Sequence, residues 1–191
     1  MMLIQRALHN LAVAAVLAIL GSAVGAEGLG PDPTPRITGL LADLKREDNP
    51  GWKRVERQIQ AEWSKSGSIS LDLLLTRGRN ALQEDDIPAA IEHLTALTDH
   101  APDFAEGFST RATAWFKAGL YGAAMQDLSR ALALNPNHYG ALSGVATILA
   151  ETGDKERAIR AYEAALAIHP HLEQVRQSLD RLRQDLAGID I

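Results

Sequence analysis

No cysteine occurs anywhere in the 191 residues. That absence removes disulfides, thiolate metal ligands and a cysteine nucleophile together, while leaving the compartment open. Aromatic residues are scarce, at 5%, whereas Ala and Leu abound. A β-sandwich would draw more heavily on Val, Ile and aromatics, so the mixture points to close-packed helices. Positive charge is not in excess either: 19 Lys and Arg stand against 24 Asp and Glu, for a net charge of -5. The basic stripe of a nucleic-acid or anionic-membrane binder is therefore not expected. What the chain does have is 46% hydrophobic residues with only 23% charged ones, enough to build one domain with a real core.

The first residues read as an address. Met1 to His9 is a short start that carries Arg6, Leu11 to Leu20 is apolar without a break, and Gly21 to Ala26 is mostly small. This order matches a secretory signal peptide over residues 1–26, cleaved after Ala26. The apolar run is shorter than the roughly 20 residues a spanning helix needs. A retained anchor is the competing reading; a lipid-modified cysteine is excluded because none follows. Cleavage implies an exported protein, periplasmic or otherwise soluble in the cell envelope, with no stable membrane insertion. Glu27 to Pro35 holds three prolines and two glycines, and residues 27–36 read as a flexible linker.

Beyond the linker the sequence repeats with a period of 34. Pro102, Pro136 and Pro170 keep that spacing, as do the small residues Gly78, Ala112 and Ala146 and a second set, Ala90, Ala124 and Ala158. Leu74, Phe108 and Leu142 are apolar in register, as are Leu94, Leu128 and Tyr162; Leu97, Ala131 and Ala165 complete the pattern. Small residues let two helix backbones approach closely, and the apolar ones fill the space beside them. Asp85, Gly119 and Gly153 fall between helical stretches, where a turn-tolerant residue is needed. Each proline ends a repeat because it cannot continue the preceding helix.

These residues resemble the tetratricopeptide-repeat (TPR) family over about residues 71–172. The second repeat matches best, through Phe108, Ala112, Trp115, Gly119, Tyr121, Ala124, Leu128, Ala131 and Pro136. The third follows with Leu142, Ala146, Leu149, Gly153, Ala158, Tyr162, Ala165 and Pro170. The first departs at Asp85 and Leu97, and Arg77 and Arg111 stand where the family usually has Leu. The resemblance implies an all-α fold, a right-handed α-solenoid of helix-turn-helix repeats spanning 71–104, 105–138 and 139–172. It implies a protein-binding role without naming the partner.

Helical caps flank the repeats. Ile37, Leu40, Leu41 and Leu44 have helical spacing; Asn49 before Pro50 suits a helix start; and Trp52, Val55, Ile59 and Trp63 form one apolar stripe. Residues 37–70 are thus a degenerate repeat or a capping helix pair. The two tryptophans are expected to be core, covering the apolar edge of the first full repeat. At the other end Leu172, Val175, Leu179, Leu182 and Leu186 make a stripe that suits a capping helix over 173–191. A dimer seam is the alternative, and with it a homo-oligomeric, self-assembling protein that uses its terminal helices.

No catalytic or metal constellation emerges, so no enzyme activity and no cofactor is expected. His93 and His100 lie two helical turns apart, too far for one ion, and read as solvated. His169 and His171 straddle a repeat boundary, where His suits a helix C-terminus. Gly140 to Gly144 is not a nucleophile elbow, and no phosphate-cradling Gly-rich loop occurs.

In such a solenoid the first helix of each pair lines the concave side. By helical spacing the groove positions are Asp72, Leu75, Arg79 and Gln83, then Glu106, Ser109, Thr113 and Phe116, then Gly140, Ser143 and Thr147. Arg79 could pair a carboxylate and Phe116 could anchor a partner. One TPR subclass grips chaperone C-terminal carboxylates with Lys and Asn on this face. Here those places carry Leu75, Arg79, Thr110, Gly140 and Gly144, which disfavours that specificity. The expected partner is another protein or a peptide segment, and no nucleic acid.

Overall fold

A computed structural model describes residues 35–188, and among them the chain is all helix and turn. The helices are α1 (Pro35–Leu44), α2 (Trp52–Trp63), α3 (Ile69–Gln83), α4 (Ile87–His100), α5 (Ala105–Lys117), α6 (Tyr121–Leu134), α7 (Tyr139–Glu151), α8 (Lys155–Ile168) and α9 (Glu173–Ala187). The signal-peptide assignment and most of the linker lie outside the described residues. Pro35 and Arg36, assigned to that linker, already open α1. Proline is well placed in a first helical turn, where its missing N–H is not needed. No helix among the described residues is long and apolar enough to cross a membrane.

The chain divides into two compact units. The first, Ser64–Pro136, holds α3 to α6, the first two repeats. In it the 34-residue triplets do what their sizes demand. Ala90, Ala112, Ala124 and Ala131 are essentially inaccessible, and Leu94 and Leu97 are fully buried between them. Gly78 is the tightest point: a Cβ there would lie 2.5 Å from Leu94 Cγ. A Gly→Ala change in a helix ordinarily gains about 0.5–1 kcal/mol, but overpacking against a buried leucine costs about 1–3 kcal/mol. Overpacking therefore wins: Gly78→Ala is expected to lower the urea midpoint, and an unchanged or raised midpoint would refute the close-approach argument.

The interhelical turns use one geometry. Gly119 and Gly153 have φ of +73° and +86°, and Asp85, at the equivalent place in the first repeat, adopts φ 60°. That left-handed conformation is rare outside glycine, with Asp and Asn its commonest exceptions. Asp86 follows and caps α4 by accepting from the Ala89 N–H at 3.1 Å, as Asp154 does for α8 from Arg157 N–H at 3.3 Å.

The second unit joins residues 35–63 to 137–188, and so unites α1 and α2 with α7, α8 and α9. Val145, Ala146 and Ile148 of α7 pack with Ala158, Ala161, Tyr162 and Ala165 of α8, all buried. On α9 only Leu179 is buried, while Val175, Leu182 and Leu186 stay half-exposed. Its outer charges pair back to α8 through Arg183–Glu163 at 2.7 Å and Lys155–Asp185 at 3.4 Å.

The tryptophans correct the sequence reading. They were expected over the first full repeat, but their ring contacts are with the third. Trp52 stacks on His171 and meets His169 edge-on, and Trp63 stacks on His138 and tilts against Tyr139. Leu44, Val55, Ile59 and Tyr139 are buried together there, with Leu40, Leu41, Ile168 and Leu172 around them. Helical spacing shows that a stripe is buried, not what buries it.

Candidate binding face

The first helices of the first two repeats touch, and Arg79 of α3 donates to the Glu106 carboxylate of α5 and to Ser64 Oγ at 3.0 Å. That contact places the two predicted residues on one shared face of α3 and α5. Gln83 and Thr113 are exposed on their helices, and Ser109 is half-buried. Thr113 turns its hydroxyl back to the Ser109 carbonyl at 3.3 Å, a local bond that water or a ligand can replace. Phe116 stacks on Tyr121, centroids 5.3 Å apart and planes 23° apart. It is therefore half-buried and held rigid, not free in open surroundings.

Two predicted groove residues do other work. Leu75 is 2% exposed and belongs to the core with Leu94, Leu97 and Ala114. Equivalent positions in the next repeats carry Ser109 and Ser143, whose hydroxyls tolerate water. A leucine there has no polar end to keep it out, so it turns into the interface. Asp72 accepts from the Ser66 amide at 2.7 Å and from the Ser66 hydroxyl at 2.6 Å, which ties the loop to α3. Those two bonds hold its carboxyl below the usual aspartate range.

In the second unit Gly140 is exposed, and Ser143 and Thr147 are half-buried. Ser143 Oγ donates to the Tyr139 carbonyl at 2.8 Å, Thr147 Oγ1 to the Ser143 carbonyl at 2.9 Å, and Thr147 Oγ1 lies 3.1 Å from the Tyr162 hydroxyl. Of the places that would grip a C-terminal carboxylate, Leu75 and Thr110 are buried, and Arg79 already holds Glu106.

Behind the face of the first unit lies a polar network. Arg111 of α5 meets Asp127 of α6 through both fork atoms, Nε to Oδ2 at 2.7 Å and Nη2 to Oδ1 at 2.8 Å. Its Nη1 donates to Thr98 Oγ1 at 2.5 Å, and Trp115 Nε1 donates to Asp127 Oδ2 at 3.1 Å. The arginine that stands where the family usually has leucine thus links three helices, α4, α5 and α6. Asp127 in turn raises the Arg111 pKa, by hydrogen bonding foremost.

The sequence reading missed a second cluster. In the second unit His169 is wholly inaccessible and sits edge-on to Trp52 and Tyr139. Its Nε2 is 3.3 Å from Glu56 Oε1, within ion-pair distance but not aligned as a hydrogen bond. His138, also buried, caps α7 by accepting from the Ala141 N–H on Nδ1 at 3.1 Å. One signal was available: the places 34 residues on either side of His138 hold Phe104 and Leu172, so a histidine there replaces an apolar residue. His93 is half-buried and His100 exposed. No group of three or more metal-ligating side chains forms among the described residues.

Comparison with known proteins places these features in a family context. The tetratricopeptide-repeat family model matches residues 75–139 and again 116–182. A TPR repeat-containing protein of Rhizobium etli is 35% identical over 157 residues, 82% of this chain and 77% of the relative. Among solved structures, the first TPR of Spaghetti (RPAP3) bound to the HSP90 peptide SRMEEVD has a TM-score of 0.59 at 25% identity, over 61% of this chain and 93% of that one. The Sgt2 TPR domain from Aspergillus fumigatus gives 0.61 at 21% identity, over 64% and 83%, a likeness of fold alone.

Proposed function

The chain belongs to the tetratricopeptide-repeat family, and on that premise we propose that it is a non-enzymatic scaffold holding a peptide or protein segment on the first-helix face of its repeats. The observation that carries this reading is the Arg79–Glu106 bond, which brings α3 and α5 together with exposed Gln83 and Thr113 beside it and Phe116 held rigid by Tyr121. A rigid aromatic among small hydroxyls suits an extended segment: the ring supplies apolar contact at little entropic cost, and the hydroxyls exchange local bonds for bonds to the ligand's backbone. The Spaghetti domain bound to an HSP90 peptide supports peptide binding in kind. The residues here differ in chemistry from a carboxylate grip, since Arg79 would have to leave Glu106 to take one. An exported location belongs to the same reading and is supported by the sequence of residues 1–26.

A photo-crosslinking side chain at exposed Thr113 tests the face. We expect one dominant captured chain, with capture lost in Phe116→Ala while the helical circular dichroism is retained. A folded, correctly exported protein that captures nothing would overturn the assignment. The peptide SRMEEVD and its C-terminal amide are expected to bind alike, within about twofold, where a carboxylate grip would separate them by tenfold or more.

A further inference from the structure

The α1–α2 hairpin reaches the third repeat chiefly through aromatic rings and histidines. Trp52 and Trp63, the first and last residues of α2, each stack on a histidine of a repeat boundary. Trp52 lies on His171 with centroids 4.8 Å apart and planes 3° apart; Trp63 lies on His138 at 4.9 Å and 24°. Between the two stacks His169 is buried against Trp52 and Tyr139. The three histidines differ in their surroundings. His138 Nδ1 accepts the Ala141 N–H and so caps α7. His169 Nδ1 has no hydrogen-bond partner among the described residues and no access to water, and a cation there would be desolvated.

We propose that the α1–α2 hairpin is a pH-sensitive clasp, held on the third repeat while buried His169 is uncharged and released when it gains a proton. The charged neighbours pull in both directions. Glu56 on α2 favours a His169 cation, whereas His171, with its ring centroid 5.9 Å away, disfavours one. Lys53 lies over the Trp52 ring at 5.5 Å. Arg46 gives its carbonyl to His171 Nε2 at 3.1 Å and its guanidinium to Asp48, and Arg36 is paired with Glu62 at 3.3 Å. Burial is the largest influence, and it holds His169 below its ordinary value of 6.5 despite Glu56. The released histidine therefore takes the proton first. The clasp is fully stable above about pH 6.5 and weakens as pH falls from there toward the lower value of the clasped state.

Amide hydrogen exchange in the full-length chain, corrected for the intrinsic pH dependence of exchange, measures the opening. Between about pH 7.5 and about pH 5 the opening of α2 is expected to rise roughly tenfold while α3 to α6 change less than about twofold. His169→Gln removes the buried titrating ring and leaves the α7 cap in place, so its response should be flat. Glu56→Gln deletes the one carboxylate that favours the His169 cation and should make the wild-type response steeper. That variant decides the matter if His169→Gln fails to fold. Equal protection of α2 at both pH values, loss of all helices together, or a shallower response in Glu56→Gln would overturn the proposal.

Discussion

Asp127→Ala is expected to lower the unfolding free energy by about 3–5 kcal/mol, read from urea or thermal melts. Three donor atoms converge on that carboxylate, two from Arg111 and one from Trp115. The Arg111 and Asp127 side chains are only 15% and 7% exposed. Truncating the acid leaves a guanidinium with its Thr98 contact and only the weaker influence of Asp99 as counter-charge, largely away from water. The loss measures that poorly compensated charge rather than the worth of the pair, because desolvating both ions already opposes their attraction. Arg111→Leu in the same chain restores the residue type the family uses there and should recover about 2 kcal/mol or more. Glu163→Ala is the control: its pair with Arg183 is 53% and 46% exposed, and screening limits it to about 0–1 kcal/mol. Equal effects of Asp127→Ala and Glu163→Ala would show that the buried network does not hold α4, α5 and α6 together.

Ile59→Ala should cost the second unit about 2–5 kcal/mol. The side chain has no accessible surface and sits with Leu44, Val55 and Tyr139. The space left behind cannot collapse easily, since the Trp63 and Tyr139 rings beside it are already in contact with one another, Trp63 stacking on His138 and Tyr139 meeting His169 edge-on. The effect is expected first as lost exchange protection in α1 and α2, with α3 to α6 following only at higher denaturant. Less than about 1 kcal/mol would mean that the rings alone carry the contact.

The fold could be read because a repeat writes its rules three times. Gly78, Ala112 and Ala146 are small for the same reason, and the left-handed Asp85 was recognisable only because Gly119 and Gly153 occupy its equivalents. Periodicity says which face of a helix is buried, and it did so for Val55 and Ile59. It carries no information on partners distant in sequence, so the stacking of Trp52 and Trp63 on His171 and His138 could not be found that way. The candidate face was partly legible as a juxtaposition of residues. Arg79 and Glu106 were placed on one side by spacing and do meet, whereas Leu75 followed its hydrophobicity into the core instead of its register. Arg111 looked like a mere departure from the family pattern, since its partners lie 13 and 16 residues away on neighbouring helices.

The discontinuity of the second unit also fixes an order of assembly. In a simple repeat array each module docks on the one made just before it, so structure can grow as the chain emerges. Here α2 ends at Trp63, yet the rings that cover it come from His138, Tyr139, His169 and His171. At ~5–20 residues per second, ribosomes need roughly 5–20 s to make the intervening stretch. For that interval Val55 and Ile59 lack those covering rings. Closing so long a loop is an entropic barrier that local helix pairs do not face. The first of the described helices to be synthesised are thus among the last to find their place, and the third repeat is the template on which they finish.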